Sequence, residues 1–251
     1  MPSELPPGGV VNNADVDWDQ WPVQRYLAEN YRVLHPCDAA VIDHHSAFYR
    51  RLAPDSVARS LEFGAGPNLY PLMLAAGCSR RIDALEPSAA SVAYLRAQLA
   101  GGADPSWERF YDRCRQRNPA LPERLADALA KVRVIAGTGS SVAPGSYDVA
   151  SMSFVAEGVT ESPEEFRSLV LTFIGSVRPG GHLVAAFMEN LGSYRLDERD
   201  WPGLPVGTAD VEEAFEGLTT DLVVSRIDEA TLPAYGHTGM LLLTARRSPD
   251  R

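Results

Sequence analysis

The segment Ser60-Leu-Glu-Phe-Gly-Ala-Gly-Pro-Asn-Leu-Tyr70 reads as a buried strand, a glycine turn and the start of a helix. Leu61 and Phe63 supply the strand. Gly64 and Gly66 allow unusual dihedrals and a close approach of backbone to a ligand. Pro67 suits a first helical position, where its missing N–H costs nothing, so the spacing predicts a helix from Pro67 to about Ala76. Twenty residues past Gly66, Glu86 ends a second apolar run, Ile82 to Leu85. A glycine turn followed by an acid at the tip of the next strand is the nucleotide-binding half of a doubly wound sheet. The acid there accepts hydrogen bonds from ribose hydroxyls.

A dinucleotide fingerprint needs a third glycine for helix packing and a bare helix N-terminus for pyrophosphate. Leu69 occupies that position, after Pro67 and Asn68. A nucleotide without phosphates fits better, and S-adenosylmethionine (SAM) is the candidate. A dinucleotide, or a turn that binds nothing, are the alternatives.

The order of elements extends this half-site. Val92, Leu95 and Leu99 share a helix face behind Ser88, a plausible cap. Gly101 to Lys131 reads as a helical insertion carrying Trp107, Phe110 and Tyr111. Val132–Ile135 and Tyr147–Phe154 are the third and fourth strands. A clean helical stripe follows from Phe166 to Val177. Arg178-Pro-Gly-Gly181 reads as a turn into a fifth strand, Leu183 to Phe187. A polar, aromatic-bearing loop runs through Tyr194 and Trp201 to a helix, Ala209 to Phe215. Leu222–Ile227 and Met240–Ala245 are a closing antiparallel pair. The predicted fold is α/β: a Rossmann-like, seven-stranded class I methyltransferase sheet with helices on both faces. Right-handed crossovers bring Gly64, Glu86, Thr138, Ser153 and Met188 to one edge, where the crevice lies. Residues 1–17 are Pro- and Gly-containing and are expected to be a disordered tail. Residues 18–251 are expected to form one domain, with 18–55 as an N-terminal helical lid. Its aromatics either cover a ligand or simply dock a helix.

The bulk numbers narrow the partners. The 251 residues, 45% of them apolar, suit one α/β domain, and the net charge is −10. This disfavours nucleic acid and anionic membranes. The four arginines between Arg109 and Arg117 read as a solvated helix face. No run has transmembrane length, and the N-terminus lacks a signal-peptide pattern. Cys37, Cys78 and Cys114, with the five histidines, show no metal spacing. The expectation is a cytoplasmic monomer or homodimer without a metal.

Further motifs carry a resemblance over roughly residues 18–247. They are Tyr26-Leu-Ala-Glu-Asn-Tyr31, Gly64-Ala-Gly-Pro-Asn-Leu-Tyr70, Trp107, Arg178-Pro-Gly-Gly-His-Leu-Val184, Gly203-Leu-Pro-Val206 and Thr238-Gly-Met-Leu-Leu-Leu-Thr-Ala-Arg246. The chain resembles the nicotinamide, phenylethanolamine and thioether methyltransferases among class I SAM enzymes. The resemblance implies that Tyr26 and Tyr31 fold over the cofactor and its carboxylate. Gly64, Gly66 and Tyr70 would shape the methionine pocket, with Pro67 and Asn68 in the same turn. Glu86 would hold the ribose with Ser91 beside it, and Ser153 would lie under the methionyl part. Two positions depart from the family. Thr138 stands where an acid usually faces adenine, and Phe187 where a substrate-binding carboxylate stands. Nicotinamide is therefore not the expected acceptor.

The expected acceptor pocket is apolar (Phe187, Met188, Trp201) with Glu157, Glu189, Tyr194, Tyr235 and His237 as its polar groups. Methyl transfer to an amine requires a neutral nitrogen, and Glu157 or Glu189 could take the proton. For a phenol, His237 would do so. Tyr194 and Tyr235 could stack on an aromatic acceptor. The leading expectation is N-methylation of a small aromatic or amine-bearing molecule. An O-methyltransferase on a phenol, a non-catalytic SAM-binding scaffold and, more remotely, an oxidoreductase are the alternatives.

Overall fold

A computed structural model describes residues 9–228 and 236–249. Five parallel strands form in chain order: β1 (Ser60–Phe63), β2 (Ile82–Glu86), β3 (Val132–Ala136), β4 (Tyr147–Ser153) and β5 (Val177–Glu189). Two short strands, β6 (Tyr194–Leu196) and β7 (Arg199–Trp201), pair with each other inside the segment expected to be a loop. The last strands, β8 (Thr219–Ile227) and β9 (Gly239–Arg247), are antiparallel, and β9 inserts beside β5. The sheet has seven strands in the order β3-β2-β1-β4-β5-β9-β8.

Among the described residues eight α-helices cover it: α1 (Val23–Asn30), α2 (Pro36–Tyr49), α3 (Tyr70–Ala75), α4 (Ala89–Gly101), α5 (Ser106–Arg117), α6 (Leu125–Leu129), α7 (Pro163–Ser176) and α8 (Thr208–Phe215). Two apolar cores result. One lies under α1 to α6 and the other under α7 and α8. Strand alternation divides them. Val184 and Ala186 of β5 face the first core, while Leu183, Ala185 and Phe187 face the second. The α4 cap forms as expected, with Ser88 Oγ accepting the Ser91 N–H at 3.3 Å.

The inserted helix α5 buries Trp107, Phe110, Tyr111 and Cys114 at helical spacing. Three of its arginines are not simply solvated, and Arg115 Nη1 donates to the Glu123 carbonyl at 3.0 Å. Arg113 grips Asp43 of α2 through two bonds of 2.7 and 2.6 Å, and Arg117 adds a third at 2.8 Å.

Three expectations shift. The helix after β1 begins at Tyr70, not Pro67, because Pro67 still lies in the turn. The Arg178–Gly181 segment belongs to β5, with an irregularity against β4 near Val149. Residues 9–17 do not form a loose tail. Val11 is buried, and its N–H reaches Glu161 Oε2 at 3.1 Å. The Asn13 N–H reaches Glu165 at 2.7 Å. Buried apolar area and satisfied backbone tie this stretch to the loop before α7 and to that helix's first turn. Among the described residues, no helix is long and apolar enough to cross a membrane.

At the end of the sheet away from the crevice, Asp83 of β2 is wholly buried. It receives Arg81 Nε at 2.7 Å, Arg59 Nη2 at 2.8 Å and the Tyr147 hydroxyl at 3.1 Å. Burial raises its pKa, but the two guanidinium groups and the phenol outweigh this and hold it below the ordinary aspartate value. Asp83→Asn is expected to lower unfolding free energy by about 2–3 kcal/mol in urea titrations near neutrality. Because the folded pKa is depressed, this contribution is present above the ordinary carboxylate range and fades as pH falls through it. The variant and wild type should therefore converge in acid.

Candidate active site

A cavity of about 240 Å³ opens at the carboxyl ends of β1, β2, β4 and β5. The glycine turn forms one wall. Gly64 has φ +69°, and a Cβ there would sit 2.7 Å from Val155 Cγ1. Gly66 has φ +55° with nothing within 4 Å of such a Cβ, so its glycine answers to the dihedral alone. Val155 follows Phe154, itself at φ +60°, a costly conformation for a bulky residue. The turns after β1 and β4 therefore fit against each other.

Glu86 ties the next wall together. Its Oε2 accepts the Gly66 N–H at 2.8 Å and its Oε1 the Ser88 N–H at 2.9 Å. Burial lifts its pKa to about 7 against the pull of those two bonds. Each oxygen keeps a lone pair for a further donor, which is what a vicinal diol requires. Leu85, Ser91, Thr138 and Leu169 complete this end.

The N-terminal segment covers the cavity, and Trp18, Trp21, Tyr26 and Tyr31 all line it. The Tyr26 and Tyr31 hydroxyls stand 3.0 Å apart, and Asn68 Nδ2 donates to Tyr31 at 3.0 Å. Burial, then the neighbouring Tyr26, pushes the Tyr31 phenol well up, so it stays protonated. The last wall carries Ser153, Met188, Leu191, Tyr194, His237 and Met240. Both ring nitrogens of His237 are buried with no partner among the described residues, and burial lowers its pKa. Burial thus favours the neutral imidazole.

Of the residues singled out from sequence, Tyr26, Tyr31, Gly64, Gly66, Pro67, Asn68, Glu86, Ser91, Thr138, Ser153, Met188, Tyr194 and His237 line the cavity. Five others do not. Tyr70 is fully buried and stacks on Phe110 at 6.0 Å. Phe187 points into the other core between Phe166 and Phe215, because β5 alternation sends it opposite to Met188. Trp201 is buried in the β6–β7 ribbon, stacked on Trp18 at 5.6 Å. Glu157 is fully buried and accepts the Met188 N–H at 2.7 Å, bracing the β4 loop against β5. Glu189 is held by Arg226 at 2.8 and 2.7 Å and by Thr238 Oγ1 at 2.7 Å, chiefly the arginine lowering its pKa. Tyr235 lies outside the described residues. Sequence reasoning missed Asp38, Asn30 and Asn13, which also line the cavity. Asp38 sits two residues after Pro36, and that pattern reads as an ordinary acidic first turn of a helix. Among the described residues no three His, Cys, Asp or Glu side chains gather as a metal site.

No protein-family profile matches the sequence, and no curated protein does. Solved structures match instead. A DhpI–SAH complex superposes with a TM-score of 0.59 at 18% identity, over 93% of this chain and 95% of that one. A SAM-dependent methyltransferase from Methanosarcina mazei gives 0.55 at 12%, over 87% and 100%. The fold is that of the class I methyltransferases. The N-methyltransferase NodS from Bradyrhizobium japonicum WM9, in complex with SAH, gives 0.50 at 16%, over 92% and 99%. The antiparallel β9 between β5 and β8 completes that sheet.

The bracing role of Glu157 has a pH signature. Burial pushes its pKa up to about 8, and its Oε2 has no partner among the described residues. A raised folded pKa favours the protein most below the unfolded value, and that gain is lost as pH rises through about 8. Wild type should therefore lose stability between about pH 5 and pH 8.5. Glu157→Gln keeps an acceptor for Met188 and should flatten that decline in urea titrations across the range.

Proposed function

We propose that the protein is a SAM-dependent methyltransferase acting on a nitrogen of a small aromatic or amine-bearing molecule. The observation that carries the reading is the pairing of Glu86 with a cavity whose described lining contains no arginine or lysine. A nucleotide with phosphates would find no cation there. A cationic sulfonium nucleoside finds a diol-binding carboxylate, aromatic faces and hydroxyls. The bound ligands of the DhpI and NodS structures, SAM or SAH, agree with this. The Tyr26–Tyr31 opening and the Gly64–Tyr70 turn support a place near the nicotinamide and phenylethanolamine methyltransferases.

Glu86 would hold the ribose, Thr138 and Leu85 would flank adenine, and Tyr31 with Asn68 would face the amino-acid tail. When bound, SAM supplies an electrophilic methyl group that a lone pair displaces in line. The protein's contribution is position. Holding two reactants in near-attack geometry is worth about 7–11 kcal/mol in well-oriented systems. Trp18, Trp21 and Tyr26 exclude water above the site. Met188, Leu191 and Met240 offer an apolar seat with His237 at its edge. Neither Glu157 nor Glu189 lines the cavity, so neither takes a proton from the acceptor. An acceptor nitrogen that arrives uncharged, as in a heteroaromatic ring, suits such a seat. His237 favours one second reading, O-methylation of a phenol, because a neutral buried imidazole is a base for a phenolic proton.

Calorimetric titration with SAM and SAH should give micromolar binding, weakened about 10- to 100-fold by Glu86→Ala. Absence of binding to wild type overturns the reading. Turnover should then appear in a panel of N-heteroaromatics, aromatic amines and phenols. His237→Ala should cost less than about tenfold on a nitrogen with no proton to lose, and 100-fold or more on a phenol. The size of that loss separates the two acceptors.

A further inference from the structure

Asp38 is a buried acid without an assigned task. It lies in the first turn of α2, which Pro36 opens. An acid there ordinarily serves its own helix end, and the N-cap residue, His35, makes no side-chain cap bond. Asp38 is only 7% exposed, and it lines the cavity. None of the described residues donates a hydrogen bond to its carboxylate, and no arginine or lysine shares the lining. A buried carboxylate in that position lacks the cation that would offset its desolvation. Burial accordingly raises its pKa to about 7.

Its neighbours indicate where the missing cation belongs. After burial itself, the charge of Asp38 is among the influences that raise the phenols of Tyr31 and Tyr70. Tyr31 in turn takes its hydrogen bond from Asn68, two residues past Gly66. Asp38 thus stands with the glycine turn and its tyrosines. We propose that Asp38 is the counter-ion for the α-ammonium of the cofactor's amino-acid tail. This rests on the reading that the cavity takes SAM. The tail is a zwitterion, and its cationic end would meet Asp38 while Tyr31 and Asn68 offer donors to its carboxylate. An acid committed to the cofactor leaves the acceptor seat without a carboxylate, consistent with an uncharged acceptor.

The test compares two probes: SAH, which carries the tail, and 5′-methylthioadenosine, which keeps the nucleoside and lacks it. Both are titrated calorimetrically into wild type and Asp38→Asn. The substitution should weaken SAH about 10- to 100-fold, the span of a hydrogen bond to a charged group. Methylthioadenosine should change by less than about twofold. On wild type, an SAH analogue without the amino group should lose affinity by the same factor as the substitution, a readout that needs no variant to fold. An unchanged SAH affinity in Asp38→Asn overturns the assignment, as does equal weakening of both probes. A variant altered only in the KM of an amine acceptor overturns it too and moves Asp38 to the acceptor. Failure of wild type to bind SAH overturns the cofactor reading and this assignment together. Binding by wild type with no effect of Asp38→Asn overturns the assignment alone.

Discussion

One carboxylate joins the two turns from which the site is built. Glu86 ends β2 and accepts N–H groups from Gly66 on the neighbouring β1 turn and from Ser88 at the start of α4. The bonds set the spacing of the two turns and fix the acid's orientation before any ligand arrives. The same neighbourhood is braced from above. Asp19 accepts the Ala89 N–H at 2.5 Å, and the Ser88 hydroxyl donates to the Trp18 carbonyl at 3.2 Å. The N-terminal segment is therefore fastened to the nucleotide half-site. A site assembled from loops gains precision when its supporting bonds are made by the scaffold itself.

The interior below these turns holds buried glutamates. Glu62, Glu86 and Glu157 are each buried, and burial pushes the pKa of Glu62 and Glu86 to about 7 and that of Glu157 to about 8. Glu62 accepts a hydrogen bond from Ser151 on the adjacent strand, a partner that offsets part of its desolvation. These groups favour the folded state most in acid, and the net effect of deprotonating them is a cost. The protein holds carboxylates under its crevice at the expense of stability above neutrality. The acids divide in role. Glu157 and Glu189 stiffen the β4 and β5 tips, whereas Glu86 and Asp38 face the cavity.

Elements set by local chemistry were legible in the chain. The strand–turn–helix at residues 60–75, the acid at 86, the Ser88 cap and the α7 stripe each follow from spacing, glycine dihedrals or capping. One error was local, and the others came from contacts between distant segments. Phe187 and Met188 could not both face one pocket, because a strand sends neighbours to opposite sides. The destination of Glu189 depended on Arg226 of β8, 37 residues away. The docking of Val11 depended on Glu161, 150 residues away. Composition marks neither pairing.

What the amino-acid order settled was the sheet and the nucleotide half of the crevice, since glycine turns, apolar periodicity and a strand-tip acid act over a few residues. What three-dimensional packing settled was which polar groups reach the cavity. Burial without a partner left His237 and Asp38 available there. Glu157 and Glu189 lie outside the cavity, the first bonded to the Met188 N–H and the second to Arg226 and Thr238. That difference arises from long-range pairing in a low-dielectric interior, where an ion without its counterpart is expensive and a paired one is fixed in place.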